Sequence, residues 1–250
     1  MRYFLQLSYN GKQYCGWQRQ PNGISIQEVI EENLSKLLGA FSPITGCGRT
    51  DAGVHAQEYF AHFDTESDIP DNFIYRINRM LPNNIAIQHL FSVSSKVHAR
   101  FDATNRTYKY FIHYEKNPFL EDQSFLLLNK NLDITKMNHC IKQLIGEHDF
   151  STFEKKGSDN KTSVCQLKDA YWEETPNGFV FTITANRFLR NMVRSITASL
   201  LMVGLNKLSE EVLLQAVLNK KPLAIKLAVP AKGLFLWKIE YDSVLITEYL

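Results

Sequence analysis

The chain of 250 residues lacks any apolar run near the roughly 20 residues that a membrane-spanning helix needs. Its first residues alternate in the manner of a strand and do not form the apolar core of a signal peptide. No two cysteines are spaced as Cys-x-x-Cys, and this scattered spacing argues against a zinc knuckle and against a secreted disulfide framework. They are Cys15, Cys47, Cys140 and Cys165. These absences predict a globular, cytoplasmic protein with reduced cysteines.

A strong excess of one charge is also missing, because 28 basic residues face 26 acidic ones. The distribution is uneven, however. Residues 1–27 contain no acid, residues 76–109 contain only Asp102, and the charged residues of 184–204 are all arginines. Binding of a polyanion depends on local basic surface rather than on net charge, so these stretches favour a nucleic-acid partner. Solvated surface charge that contacts nothing is the alternative.

Hydrophobic periodicity predicts an α+β fold of two similar halves, 1–104 and 105–250. The first half alternates strands and helices in the order β-α-β-β-α-β, which is the split βαβ, ferredoxin-like arrangement. Its predicted strands are 2–9, 43–47, 58–63 and 85–93, and its helices are 25–38 and 71–80. The second half repeats the order with strands 106–114, 162–172, 179–185 and 233–241 and helices 134–145, 187–203 and 209–218. The polar stretch 154–161 is predicted to be a mobile insertion, and 116–131 a loop.

The segment Gly48-Arg49-Thr50-Asp51-Ala52-Gly53-Val54-His55 carries most of the functional information. It places one carboxylate between two glycines and beside an arginine, in a stretch too polar for a strand interior. Glycines accept backbone angles that other residues avoid and allow a ligand to approach the main chain, so the loop is suited to presenting Asp51. An aspartate that only organises its own turn is the alternative.

Two further segments combine cations with aromatic rings. The first is His98-Ala99-Arg100-Phe101, followed by a strand in which Arg106, Tyr108 and Tyr110 share one face. The second is Asn186 to Arg194, a predicted helix on which Arg187, Arg190 and Arg194 lie along one side. An aromatic ring beside guanidinium groups can stack on an unpaired base while the cations hold phosphates.

Together these segments resemble the tRNA pseudouridine synthase A family. Gly48 to His55 is similar to the catalytic-aspartate signature of the family, and His98 to Phe101 is similar to its His-Ala-Arg-Phe element. Arg106-x-Tyr108-x-Tyr110, Phe188 to Arg194 and Pro230 to Leu234 are similar to its tyrosine strand, its basic-partner segment and its closing element. The resemblance runs from Tyr3 to about Tyr241.

The resemblance implies two ferredoxin-like halves that form one continuous, mostly antiparallel sheet with a central basic cleft. It implies conversion of uridines at tRNA positions 38–40, in the anticodon stem-loop, to pseudouridine by a homodimer that uses neither metal nor nucleotide cofactor. The reaction breaks the N1–C1′ bond and rejoins the uracil through C5. Attack at C1′, addition to the ring and removal of the 2′ proton remain open as mechanisms.

The resemblance also implies roles for individual residues. Asp51 is expected to be nucleophile or base, and Arg194 to pair with it and keep it ionised. Tyr108 is expected to stack on the uracil or to transfer a proton, and Arg49 to stabilise the flipped nucleotide. The expected phosphate contacts are Lys12, Arg19, Arg100, Arg106, Arg187 and Arg190.

Other functions find less support in the sequence. His148 and Asp149 lack a second pair at metal-binding spacing, His55, His62 and His98 lack a convincing third ligand, and no Gly-rich phosphate loop is present. An RNA-binding module without catalysis is the main rival, because ferredoxin-like sheets with exposed aromatics also recognise single strands. Such a module would not require Asp51 and Arg194.

Overall fold

The computed structural model describes residues 1–129, 131–155, 157, 160–224, 227–242 and 248–249. It divides into two compact units. The first comprises Met1–Thr104 together with Leu236–Leu250, and the second comprises Asn105–Phe235. The chain therefore leaves the first unit after Thr104 and returns to it at Leu236.

Strands and helices alternate along the chain in a mixed α+β pattern. The strands are β1 (Arg2–Tyr9), β2 (Thr45–Gly46), β3 (His55–Asp64), β4 (Ile85–Val93), β5 (Ala103–His113), β6 (Phe125–Leu126), β7 (Gly146–Asp149), β8 (Val164–Thr175), β9 (Gly178–Ala185), β10 (Leu234–Tyr241) and β11 (Glu248–Tyr249). The helices are α1 (Ile26–Leu38), α2 (Phe73–Met80), α3 (Ile134–Lys142), α4 (Met192–Gly204) and α5 (Glu210–Leu218). Short 3₁₀ turns occupy Gly11–Gln13, Pro118–Leu120, Ser151–Phe153 and Ala231–Gly233.

The sheet of the first unit has the strand order β11-β4-β1-β3-β10, with β2 paired to β3. The pairs of β1 with β3 and β4, of β2 with β3, and of β11 with β4 are antiparallel. Helix α1 packs beside α2, which lies against β4. The helices bury Ile26, Ile30 and Leu34 of α1 and Phe73 and Ile77 of α2. The apolar positions that predicted these helices therefore form their core faces.

The predicted boundaries of α1 are confirmed by its caps. The hydroxyl of Ser25 accepts a hydrogen bond from the backbone N–H of Glu28 at 3.2 Å, and the Glu28 carboxylate accepts one from the N–H of Ser25. Gly39 ends the helix in the left-handed conformation, with φ at 72°. This reciprocal capping box satisfies two N–H groups that would otherwise lack a partner in the first turn.

Three loops meet at one end of the sheet in the first unit. Strand β3 begins beside the end of β1, because Ala56 pairs with Tyr9, and β4 begins there too, because Ile85 pairs with Tyr9. The loops 10–25, 47–54 and 81–84 therefore lie together, and we name this region the Asp51 end. The acidic stretch 64–71 lies at the opposite end, where β3 ends and α2 begins.

In the second unit, the strand order β5-β9-β8-β7 is antiparallel, and β6 pairs parallel to β5. The hairpin of β8 and β9 turns at Pro176 and Asn177, as predicted. Helix α3 packs against β8 and α4. Asp133 caps α3 as predicted, with its carboxylate accepting from the backbone N–H of Lys136 at 2.9 Å.

The predicted helix 187–203 is wrong at its start, because α4 begins at Met192. Asn191 adopts the left-handed conformation, with φ at 66°, which interrupts helical geometry. Asn186 instead extends the β8–β9 pairing: its N–H donates to the carbonyl of Gln166, and its side-chain oxygen accepts from the N–H of Gln166. Arg187 and Arg190 therefore lie in a loop before α4 and do not share a helix face with Arg194.

No helix in the described part of the chain is long and apolar enough to cross a membrane. The predicted insertion 154–161 lies partly outside the described residues. The predicted loop 116–131 contains the 3₁₀ turn Pro118–Leu120 and β6, and residue 130 lies outside the described residues.

Candidate active site

The Asp51 loop connects β2 to β3 in the first unit, as predicted. Its backbone turns tightly, because the N–H of Val54 donates to the carbonyl of Asp51 at 3.1 Å and Gly53 has φ at 77°. Asp51 is half-buried and Arg49 is exposed. Gly48 differs from expectation: its φ is not positive, and no heavy atom lies within 4 Å of the place a Cβ would take. Only Gly53 of the two glycines is required by the backbone here.

A second loop, residues 10–17, supports the Asp51 loop. The N–H of Trp17 donates to the carbonyl of Thr50 at 3.2 Å, and the N–H of Gly53 donates to the carbonyl of Tyr14 at 3.3 Å. A Cβ on Gly16 would lie 2.4 Å from the Thr50 carbonyl oxygen, which is closer than atoms can approach without moving. The two loops therefore form one frame that fixes the backbone on both sides of Asp51.

Buried aromatic side chains also contact the two loops of this frame. The rings of Trp17 and Tyr59 stack with centroids 4.0 Å apart. The hydroxyl of Tyr59 donates to the carbonyl of Gly48, and the hydroxyls of Tyr9 and Thr50 share a buried hydrogen bond of 2.8 Å. These bonds anchor Gly48, which precedes Arg49, and Thr50, which precedes Asp51. The backbone that carries the Asp51 carboxylate therefore has little freedom to move.

None of these supporting residues was identified from the sequence. The signal available was the stretch Tyr9 to Trp17, which is free of acids and rich in glycine and aromatic residues. Its role depends on contacts between segments more than 30 residues apart in the chain. Periodicity within a short window cannot detect such contacts.

The His-Ala-Arg-Phe element forms a turn after β4. His98 organises it, since its Nδ1 accepts hydrogen bonds from the N–H groups of Arg100 at 3.1 Å and Phe101 at 3.4 Å. The ring of Phe101 is 73% exposed and lies 4.2 Å from that of His98, with the Arg100 guanidinium 5.7 Å from the Phe101 centroid. The turn thus presents a flat aromatic surface and a cation to solvent.

The pKa values of two histidines are lowered here, that of His98 in the turn and that of His62 on the adjacent strand β3. Burial, followed by the charge of the Arg2 guanidinium, lowers the pKa of His62 to about 4. Burial and Arg2 also lower the pKa of His98, against the opposing effect of Asp102. Neutral rings are what the geometry requires, because Nδ1 of His62 accepts from the N–H of Ala99 at 3.1 Å.

In the second unit, the two tyrosines of β5 have different surroundings. Tyr108 is half-buried, and its ring meets that of Phe188 edge to face at 5.1 Å. Tyr110 is fully buried, and its hydroxyl donates to the carbonyl of Pro230 at 2.8 Å. Burial raises the pKa of Tyr110 far above its ordinary range, against a smaller opposing effect of Arg194. Tyr110 therefore stabilises the unit, whereas Tyr108 offers a ring for contact.

Arg194 lies in the first turn of α4 and is tied to Val229, the residue directly before the closing element Pro230 to Leu234. Its Nε donates to the carbonyl of Val229 at 2.8 Å, and the N–H of Val229 donates back to the carbonyl of Arg194 at 3.2 Å. The closing element also packs on β5, since a Cβ on Gly233 would lie 2.7 Å from the Tyr110 ring. Arg194, Tyr110 and the closing element therefore form one supporting assembly.

The candidate phosphate contacts of the first unit fall into two places. Lys12 is exposed on the 3₁₀ turn that supports the Asp51 loop. Arg19 is also near the Asp51 end, but its guanidinium pairs with Glu28 at 3.2 Å and Glu31 at 3.5 Å. Arg100 lies beside the far end of β3, roughly 20 Å from the Asp51 loop along that strand. The structure thus brings Lys12 and Arg49 near Asp51 and leaves Arg100 apart.

The candidate phosphate contacts of the second unit lie around the start of the loop before α4. Arg106 donates from Nη1 to the carbonyl of Asn186 at 2.7 Å, and Arg187 donates from Nη2 to the side-chain oxygen of Asn160 at 3.2 Å. Arg190 is exposed, and its carbonyl accepts from the N–H of Lys155. Within the described residues, no three His, Cys, Asp or Glu side chains are placed to hold a metal ion.

Comparison with known proteins identifies the family. A family model described as tRNA pseudouridine synthase matches residues 140–242. The chain is 46% identical to tRNA pseudouridine synthase A of Azobacteroides pseudotrichonymphae, over 97% of both chains. It is 43% identical to the enzyme of that name from Parabacteroides distasonis, over 98% of this chain and 97% of the relative. For the Clostridium kluyveri enzyme the identity is 39%, over 95% of this chain and 98% of the relative. The chain therefore belongs to the tRNA pseudouridine synthase A family.

Proposed function

We propose that this protein isomerises uridines in the anticodon stem-loop of tRNA to pseudouridine, with Asp51 as its essential catalytic residue. Membership of an isomerase family over nearly the whole chain supports the reaction and its tRNA substrate. The observation that carries the assignment of Asp51 is the rigid two-loop frame around it. A catalytic group must be held in productive geometry, and such a frame has no purpose for an aspartate that only shapes its own turn.

A fixed carboxylate suits the chemistry of this isomerisation. The N1–C1′ bond breaks, a C5–C1′ bond forms, the proton on C5 leaves and N1 gains a proton, so the substrate needs no external oxidant, reductant or group donor. A carboxylate can act as temporary nucleophile or as base in these steps and is regenerated at the end. Attack at C1′, addition to the ring and removal of the 2′ proton all use the same group.

Tyr108 and Arg194 are the proposed contributors from the second unit. The half-buried ring of Tyr108 is proposed to stack on the uracil or to transfer a proton, whereas Tyr110 is fully buried and its hydroxyl donates to the carbonyl of Pro230. Arg194 is held through Nε in the first turn of α4, and its guanidinium carries a permanent positive charge that suits an anionic partner. Pairing of Arg194 with Asp51 stays a prediction, and a double-mutant cycle tests it.

The remaining proposals concern binding. Arg49 is exposed next to Asp51 and is proposed to stabilise the flipped nucleotide, with Lys12 as the nearest phosphate contact. Arg106, Arg187 and Arg190 are proposed to bind phosphates in the second unit. Arg19 is the weakest candidate, because two carboxylates already neutralise it. A cytoplasmic location, a homodimer, independence of cofactors and a central basic cleft also remain proposals from the resemblance.

A ferredoxin-like first unit is supported by its topology. The element order β1-α1-β2-β3-α2-β4 and the lateral order β4-β1-β3-β2 match the split βαβ pattern. Two helices on one sheet also leave room for a large ligand on the opposite face.

The test is turnover of unmodified tRNA by the purified protein with no cofactor added, followed by chemical mapping of pseudouridine. For the wild type, we expect pseudouridine only in the anticodon stem-loop. For Asp51→Ala, we expect no pseudouridine and an affinity for tRNA within a few-fold of that of the wild type. Asp68→Ala is the matched control, because Asp68 is an exposed acid at the opposite end of the same unit. Full turnover by Asp51→Ala would reject the catalytic assignment, and tRNA binding without product by the wild type would favour the non-catalytic RNA-binding module.

A further inference from the structure

Helix α2 presents an outer face of two arginines flanked by an aromatic and a thioether side chain. We name Tyr75, Arg76, Arg79 and Met80 the α2 outer face. All four are exposed, Tyr75 by 68% of its surface, while the opposite side of the helix is buried in the core. Spacings of three, four and five residues place these side chains together on one side of the helix.

The helix is fixed in rotation, so this exposure is a stable property of the fold. The side-chain amide of Asn78 donates to the carbonyl of Ile87 at 2.7 Å, and its oxygen accepts from the N–H of Ile87 at 2.8 Å. These two hydrogen bonds attach α2 to β4 at Asn78, which lies between the two arginines in the chain. A rigid helix presents its cations in one geometry, which reduces the entropy lost on binding.

The two arginines contribute little to the fold. Among the residues that the structure describes, neither the Arg76 nor the Arg79 guanidinium takes part in an ion pair or a hydrogen bond. The other arginines of this unit include Arg2, which forms a bidentate pair with Asp64, and Arg19, which pairs with two glutamates. Two unpaired guanidinium groups one helical turn apart are suited to an external polyanion.

The position of the α2 outer face links it to the Asp51 end. Helix α2 runs toward that end, and the loop 81–84 that follows it contacts the supporting loop: the N–H of Asn10 donates to the carbonyl of Asn84 at 2.9 Å, and the Tyr14 hydroxyl donates to the Asn84 side chain at 2.7 Å. Lys12 lies between these two contacts in the chain. The exposed acids Asp64, Glu66, Asp68 and Asp71 lie at the opposite end of the unit.

We infer that the α2 outer face binds the phosphate backbone of the substrate tRNA, outside the nucleotide that reacts. The inference rests on the proposed function for the identity of the RNA. Charge complementarity favours an RNA phosphate backbone as the ligand of this face, because the planar guanidinium group matches the geometry of phosphate oxygens. The nearby surface at the Asp51 end adds further cations for the same backbone. The face extends the contact of the first unit beyond Lys12 and Arg49, and it contributes affinity rather than chemistry.

The experiment compares the salt dependence of tRNA binding in matched variants. Arg79→Gln removes a cation from the last turn of α2, and Lys36→Gln removes one from the last turn of α1. Because α1 starts at the Asp51 end, Lys36 lies roughly 15 Å away from that end along the helix. Affinity for unmodified tRNA is measured at several salt concentrations for both variants, for Arg76→Gln/Arg79→Gln and for the wild type.

A plot of the logarithm of the tRNA association constant against the logarithm of salt concentration has a negative slope. We expect the magnitude of this slope to decrease by about one for Arg79→Gln and by about two for the double variant. Lys36→Gln should keep the wild-type slope, and Arg79→Lys should restore most of it. Equal slopes for Arg79→Gln and Lys36→Gln would overturn the inference. So would a change of oligomeric state in Tyr75→Ala/Met80→Ala with tRNA binding unchanged, since the face would then be a protein interface. Absence of pseudouridine formation by the wild type would refute the proposed function separately, whatever the slopes.

Discussion

Replacement of Gly16 by alanine tests whether the supporting loop holds Asp51 in place. Gly16 has φ at 108°, and an added Cβ would lie 2.4 Å from the Thr50 carbonyl oxygen. An ordinary carbon–oxygen contact is about 3.3 Å, so one loop must move by roughly 0.9 Å. Left-handed backbone adds about 1–2 kcal/mol of strain for a residue with a Cβ.

We expect Gly16→Ala to lower the free energy of unfolding by about 2–4 kcal/mol and the rate of tRNA isomerisation by roughly 10- to 100-fold. The rate loss follows because a displacement near 1 Å of a catalytic group costs about that much. Urea unfolding gives the first quantity, and single-turnover kinetics with saturating tRNA give the second, free of effects on binding.

Two other glycines provide controls that separate strain from displacement. Gly39 also has positive φ, at 72°, but its Cβ position is open, so Gly39→Ala should cost about 1–2 kcal/mol of stability without slowing turnover. Gly48 lies in the Asp51 loop with neither positive φ nor a close contact, so Gly48→Ala should change stability little. If Gly16→Ala destabilises no more than Gly39→Ala and turns over at the wild-type rate, the close approach of the loops does not position Asp51.

Three further predictions follow from individual side chains. Tyr108→Phe should slow isomerisation with little loss of stability, whereas Tyr110→Phe should lose about 1 kcal/mol of stability, since its buried hydrogen bond disappears, and keep its rate. The pKa of His62 is lowered in the folded protein to about 4, so its contribution to stability is fully present above about pH 6.5 and is lost as the pH falls toward 4. The contribution should reach about 3 kcal/mol, and the difference between the wild-type and His62→Gln unfolding free energies across that range measures it. Arg19→Gln should lower stability by up to about 1 kcal/mol, because Glu31 is buried beside it, and should leave the salt dependence of tRNA binding unchanged.

Contrary results would be informative in each case. Wild-type turnover by Tyr108→Phe would remove the hydroxyl from the chemistry and leave only stacking. A pH profile of stability that His62→Gln does not alter would show that the ring is solvated in solution. A lower salt slope in Arg19→Gln would return this arginine to the phosphate contacts.

The sequence predicted best those elements whose signals are local. The alternation of β1 and β4 matched their observed bounds, and the Ser25 capping box and Gly39 marked both ends of α1. These features depend on residues within four positions of each other, so short-range reasoning is sufficient for them.

The errors arise from contacts between distant segments and from local backbone conformations that periodicity does not report. Hydrophobic periodicity suggested that α4 began at residue 187, but Asn186 bonds to β8 and Asn191 takes a left-handed conformation, and neither preference is visible in periodicity. Gly48 matched the expected motif without needing its conformational freedom, whereas Gly16, which does need it, was not identified. Motif similarity located the Asp51 loop, but only coordinates identified what holds it.

The return of the chain to the first unit at Leu236 has a consequence for biosynthesis. The ring of Tyr241 packs against Phe4 and Phe60 at 5.7 and 5.2 Å, and the N–H of Ile239 donates to the Glu58 carboxylate. A ribosome must therefore translate the entire second unit before the partner for these early residues exists. A nascent chain that ends before β10 leaves the side of Phe4 and Phe60 that Tyr241 covers exposed, so this apolar surface is completed only at the end of synthesis.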